Sequence, residues 1–195
     1  MKTKGDQALL LLQNGNKRFV AQKRIFPHQS LERRTEVTGG QHPFAVILGC
    51  SDSRVPPEII FDQGIGDLFV IRVAGNIIDD MVMGSMEYAV EHLHVPLILV
   101  LGHQRCGAVE AALKEGKAPG HVNGLLEAIK PAVEKAKSLA GDILDNAVRA
   151  HLERMVAQLK SAEPILAEGV KRGELKIIGG YYHLENGQVE ILPSD

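Results

Sequence analysis

The sequence predicts an α/β fold: a central, mostly parallel β-sheet flanked by helices, with an N-terminal helical arm. Three observations predict it. Four short, near-continuous apolar runs rich in β-branched residues stand at 44–50, 68–75, 97–103 and 175–182, as strands buried on both faces require. Segments with helical periodicity separate them, which favours an alternating strand–helix order. The 195 residues suffice for one sizeable core and leave little room for two. The expected organisation is a single domain over 1–195, with the arm at 1–40 and the α/β core at 41–195.

Taken in order, residues 7–21 begin as an amphipathic helix that Asn14-Gly15 is expected to break. Residues 23–42 are basic, polar and proline-containing, and read as an extended connection. The run FAVILGC (44–50) is the first strand and LFVIRVAG (68–75) the second. Met83, Met86, Tyr88 to Val90 and Leu93 mark a helix across 80–94. LILVLGH (97–103) is the third strand, and a helix over Cys106 to Leu113 follows it. Residues 121–140 and 141–172 read as helices interrupted near Gly141 and Pro164. LKIIGGYY (175–182) is the fourth strand, and EILPSD adds a short edge strand after the Asn186-Gly187 turn.

Composition narrows the function. Hydrophobic residues make up 45% and charged residues 24%, with a formal net charge of −2. Lys and Arg form no basic face, so nucleic acid is not an expected partner. No apolar run approaches the roughly 20 residues that span a bilayer, so no membrane role is expected. The first residues are too short and polar for a signal peptide, which leads to a cytoplasmic expectation; a mature periplasmic form would read the same. The chain has two cysteines, Cys50 and Cys106. In a reducing compartment a structural disulfide is uncommon, and two lone cysteines invite a reading as metal ligands.

Both cysteines stand at strand ends. The first strand finishes in Gly49-Cys50-Ser51-Asp52-Ser53-Arg54, the third in Gly102-His103-Gln104-Arg105-Cys106-Gly107. Ligand sites of open α/β sheets lie beyond the carboxyl ends of strands, so Cys50, His103 and Cys106 converge although more than 50 residues separate the segments. Two thiolates and an imidazole suit Zn2+ and leave its fourth tetrahedral position open, as catalytic sites require. Asp52 reaches the same point: bound to the metal it closes the site, and paired with Arg54 it frees the position for water. Either segment alone carries little weight, because a lone Cys at a strand end is usually a small buried residue. Together they use every cysteine of the chain.

CSDSR (50–54) and GHQRCG (102–107) resemble the two signature motifs of β-carbonic anhydrases. PPEIIFDQGIGDLFVIRVAGN (56–76), GSMEYAV (84–90), IIGGYY (177–182) and, less distinctly, VEILPSD (189–195) are similar to the same family, so the resemblance runs from about Gln13 to Ile191. It implies a zinc-dependent carbonate dehydratase that hydrates CO2 reversibly to bicarbonate and a proton. Cys50, His103 and Cys106 would hold one Zn2+ per chain, joined by Asp52 in a closed state, and Asp52 with Arg54 would gate and orient. Zinc acidifies water so that hydroxide attacks CO2. Two thiolates donate more charge than two imidazoles, which should keep that water less acidic and favour alkaline conditions. The resemblance places Phe69, Ala74 and Tyr88 along a narrow cleft, although Phe69 and Tyr88 would serve as apolar core in almost any α/β protein. Gln41 would reach the site of a partner subunit, making the functional unit a homodimer or an assembly of dimers, with residues 6–35 embracing a neighbour. The Gly107 N–H, at a helix start, would donate to a substrate oxygen.

Other features carry less. Gly64-Ile65-Gly66 precedes a strand instead of joining a strand to a helix, so it is no nucleotide loop. His92 and His94 read as a helix end, and His28, His42, His121, His151 and His183 have no spacing that singles them out. Lys130-Pro131 and the charged stretch 145–172 read as a solvated helical face. A family subtype switched by bicarbonate is similar to a pattern with Trp where this chain has Ile47; Arg72 and Tyr182 match, the set is incomplete, and no such switch is expected. Three competing readings remain at this level. A CS2 or COS hydrolase would use the same zinc framework. A non-enzymatic zinc-binding regulator would lack the intact Asp52–Arg54 pair. A thiol redox protein would want close CxxC spacing, which is absent.

Overall fold

A computed structural model describes residues 2–114 and 118–193. Ser194 and Asp195, the end of the expected edge-strand segment, lie outside the described residues. The chain opens with α1 (Lys4–Val20) and α2 (Leu31–Glu36), then runs β1 (Ala45–Gly49), α3 (Pro57–Ile60), β2 (Leu68–Arg72), α4 (Asp80–Glu91), β3 (Leu97–His103) and α5 (Gly107–Leu113). It continues with α6 (Val122–Ala136), α7 (Ile143–Lys160), α8 (Ile165–Lys171), β4 (Lys176–Tyr182) and β5 (Val189–Ile191). The five strands form one sheet in the order β2-β1-β3-β4-β5. The first four are parallel, and β5 returns antiparallel to β4, as a hairpin strand must.

All four apolar runs are strands. Every residue of β1 and β3 is buried, which their unbroken hydrophobicity demands. Alternate side chains feed two cores. Val46, Leu48, Ile98, Val100 and Tyr181 face α4 to α8, whereas Ile47, Leu99, Leu101 and Tyr182 face Ala8 and Leu12 of α1. The chain leaves β1 toward β2 on one side and β3 lies on the other, so β1 and β3 flank the topological switch point. A crevice opens beyond the carboxyl ends of strands there.

Three expectations are corrected. The first helix does not break at Asn14-Gly15; it continues to Val20. Gly15 is needed there because α1 crosses Phe61 so closely that a Cβ would stand 1.7 Å from the Phe61 carbonyl oxygen. Asn16 is buried beside it, its amide donating to Ile60 O and Gly187 O and accepting from Val189 N–H. Within this chain α1 therefore packs on its own sheet. Second, residues 23–42 are not wholly extended: Ser30 caps α2, and Val37–Gly39 form a 3-10 turn. The connection is pinned by two buried carboxylates. Asp62 accepts from Arg18 and from the Ile25 and Phe26 N–H groups, and Asp67 accepts from His28 Nδ1 at 2.7 Å and from Gly64 N–H. Third, the stretch 145–172 is not simply a solvated face. Helix α7 buries Ala147, Val148, Ala150, His151, Leu152, Met155 and Leu159, and its Asp145 and Arg149 pack on Tyr181 of β4.

Candidate metal centre

Strand β1 ends at Gly49 and β3 at His103, and the turns that follow bring Cys50, His103 and Cys106 together. Their donor atoms all lie within 4.8 Å of one another, and all three residues are buried. The backbone explains the convergence. Gly49 pairs with Leu101, so Cys50 emerges beside the last turn of β3, and Arg105 adopts φ of +53° to fold Cys106 back under His103. Cys106 then stands at the residue before α5, its side chain making no capping bond to the helix.

His103 is oriented for ligation. Its Nδ1 lies 3.0 Å from Gln104 O, and since a carbonyl only accepts, Nδ1 carries the proton. That leaves the Nε2 lone pair aimed at the thiols, fully buried and without a hydrogen-bond partner. A buried polar atom without a partner is costly, and an ion held by two sulfurs and this nitrogen removes the cost. The donor set therefore fits Zn2+.

The thiols support the same fit. The Cys50 thiol is held well below the usual thiol range, first by the hydrogen bond from Cys106 and also by the Gly75 and Asp52 N–H groups, with burial opposing them. Gly75 N–H donates to Cys50 Sγ at 3.3 Å. The Cys50 thiolate and burial push the Cys106 thiol up, and the Val109 and Ala108 N–H groups at the start of α5 counter this. Two thiols so close resist losing both protons, and a bound cation removes that resistance.

Asp52 stands at the rim with Oδ2 3.9 Å from His103 Nε2. Arg54 holds it through Nε to Oδ1 at 2.9 Å, Nη2 to Oδ2 at 2.7 Å, and its backbone N–H to Oδ1 at 2.9 Å. This bidentate pair, in the first place, keeps the Asp52 carboxyl down at about 2. Arg54 also donates to Arg105 O, which ties the first motif to the second.

The remaining expected site residues fall in several places. Ala74 opens the 3-10 turn Ala74–Asn76 after β2, which also supplies the Gly75 N–H. Phe69 on β2 and Tyr88 on α4 meet with ring centroids 6.4 Å apart, and Tyr88 is half-exposed. Gly107 is exposed at the start of α5, and a Cβ there would meet nothing within 4 Å. Gln41 is exposed in the loop ahead of β1. Sequence reasoning missed two contributors. Arg72 donates to Cys50 O and Asp52 O and so clamps the backbone of the first motif. His151 lies 2.8 Å from Gly75 O through Nε2. The RVAGN segment carried a signal for the first; nothing in the periodicity of α7 marked His151.

Comparison with known proteins gives concordant findings. A family model described as carbonic anhydrase matches residues 45–189. A protein named carbonic anhydrase from Mycolicibacterium smegmatis is 46% identical over 92% of this chain and 89% of its own length. Among solved structures, a Coccomyxa β-carbonic anhydrase in complex with acetazolamide superposes with a TM-score of 0.75 at 33% identity, covering 81% of this chain and 75% of that one. One of two tetrameric β-carbonic anhydrases from Sordaria macrospora gives 0.75 at 26% identity, covering 96% and 98%. Among the described residues no helix is long and apolar enough to cross a membrane.

Proposed function

Because the chain belongs to the β-class carbonic anhydrase family, and so is a zinc-dependent carbonate dehydratase interconverting CO2 with bicarbonate and a proton, we propose that Cys50, His103 and Cys106 are its zinc ligands and that Asp52 and Arg54 are its catalytic dyad. The observation that carries this is the buried convergence of three donor atoms with His103 Nε2 unpartnered. Bound zinc supplies Lewis-acid polarisation, which lets water give up its proton near neutral pH.

The chain's own groups do the rest. Arg54 draws Asp52 off the donor cluster and keeps its carboxylate charged. From that position Asp52 accepts a hydrogen bond from the attacking water and turns its free lone pair toward the CO2 carbon. Phe69, Ala74 and Tyr88 shape an apolar slot for a linear, apolar substrate, and Gly107 N–H donates to one of its oxygens. Gln41 completes the slot of a partner subunit. The released proton passes to buffer, and the two thiolates hold the working range toward alkaline pH.

The functional unit is a homo-oligomer of at least two chains. Supporting this, β2 is a half-exposed sheet edge, and Ile59, Met81 and Tyr88 are exposed at 47%, 77% and 47%. The whole chain acts as one unit, with the arm at 1–40 lying between subunits as well as on its own sheet. Its place is the cytoplasm, where thiol ligands stay reduced; Cys50 and Cys106 form no disulfide. A thiol redox role is not favoured, since the cysteines are only 5% and 1% exposed.

The test is stopped-flow CO2 hydration over about pH 6.5 to 9 with zinc per chain measured on the same sample. Cys106→Ser should abolish both zinc retention and turnover. Full zinc occupancy without CO2 turnover at any pH would overturn the assignment, and turnover of CS2 or COS in its place would redirect it to those gases.

A further inference from the structure

We propose that His151 is a positioning residue of the metal centre: its ring Nε2–H, bonded to the Gly75 carbonyl, fixes the turn whose N–H is aimed at Cys50 Sγ. The inference rests on Cys50 being a zinc ligand.

His151 lies in the middle of α7, 1% exposed, among apolar side chains that pack on the sheet. Its Nε2 is 2.8 Å from Gly75 O. A carbonyl accepts only, so Nε2 carries the proton and the ring is held as one tautomer. Nδ1 is buried and has no hydrogen-bond partner among the described residues. The Gly75 contact is thus the one polar tie of a buried ring. A leucine would fill much the same space without leaving a buried nitrogen unpaired, so packing alone does not account for the imidazole.

The turn it grips is unusual. Gly75 has φ of +72° and Asn76 φ of +41°, both left-handed, and Asn76 Nδ2 is also buried without a partner. A Cβ at Gly75 would meet Ile129 Cδ1 at 2.7 Å. Local hydrogen bonding gives this turn little support: Asn76 N–H to Val73 O at 2.8 Å closes it on one side. On the other side the two peptide groups that meet at the Gly75 Cα are each held from outside the turn. Gly75 donates its N–H to Cys50 Sγ at 3.3 Å, and its carbonyl accepts from His151. An N–H···S bond withdraws charge from a thiolate, which tunes how strongly that sulfur donates to a metal, and outer partners of this kind orient and tune ligands. Helix α7 thereby reaches a ligand 101 positions away without touching the metal.

The test uses the full chain as wild type, His151→Leu and His151→Gln. Glutamine places an Nε2 donor where imidazole Nε2 stands; leucine offers none. Each is loaded with zinc to follow its first-order loss to a chelator, and with Co2+ to record the thiolate-to-cobalt charge-transfer band. His151→Leu should lose zinc about 10- to 100-fold faster and move the band to lower energy. His151→Gln should restore both toward wild type, even where the two variants melt at the same temperature. Should His151→Leu fail to fold, His151→Met fills the space without a donor and takes its place. Leucine and glutamine variants alike in metal loss and band position would overturn the proposal and leave His151 a packing residue. A wild-type chain that takes up no zinc would instead overturn the ligand assignment, and the proposal with it.

Discussion

At the scale of single residues, Arg54 decides what Asp52 can do. Two hydrogen bonds from the guanidinium and one from the Arg54 backbone N–H hold the carboxylate, yet Oδ2 remains only 3.9 Å from His103 Nε2. Removing the guanidinium leaves an anion beside a cation site, and the two attract. Arg54→Ala should therefore keep its zinc and lose CO2 hydration by about 100-fold, a loss typical of a displaced proton-handling group. Stopped-flow rates with zinc analysis on the same sample check this; an undiminished rate would remove the dyad from the reaction. The ligands and this pair were legible in the sequence because the chemistry fixes their identity and the strand ends fix their place. Arg72 and His151 were not. Each acts through a backbone carbonyl, and carbonyls carry no residue type to read.

At the scale of elements, hydrophobic runs announced the strands plainly, since a buried parallel strand has no face to give to solvent. The first helix was harder. Asn14-Gly15 carries the local signature of a break, but tertiary approach overrides it: α1 needs a residue without Cβ where it crosses Phe61. Gly15→Ala should accordingly destabilise the chain by about 1–3 kcal/mol, although alanine is the better helix former. A lower denaturant midpoint with unchanged slope is the expected result. A midpoint that rises would show that α1 does not cross Phe61 so closely. The misread character of α7 has a similar origin. Its charges are real, yet Asp145 accepts from Tyr181 of β4 and Arg149 lies over the Tyr181 ring, and composition alone does not separate these from the solvated ones.

For the molecule as a whole, strand order creates the site. Placing β2 and β3 on opposite sides of β1 leaves a crevice beyond the carboxyl ends of β1 and β3, and both motifs empty into it. Strand order is non-local, so the sequence could indicate that the two motifs meet but not the path by which they do. The same order leaves β2 as an open edge beside exposed apolar residues. Sedimentation at micromolar concentration should give at least twice the 21.2 kDa of one chain. A fully active species of 21.2 kDa would show that no partner residue, Gln41 included, is needed.

The Asn16 amide has a bearing on how the protein is born. It binds Gly187 O and Val189 N–H, more than 170 positions along the chain. Helix α1 leaves the ribosome well before the residues that lock it are made. At about 5–20 residues per second the interval is roughly 10 to 30 seconds. Throughout that time Ala8 and Leu12 have only part of the sheet to cover. A nascent chain of this protein therefore carries an amphipathic, unfinished helix until Gly187 and Val189 have been made, and that is the window in which a chaperone, or a second nascent chain, has most to bind.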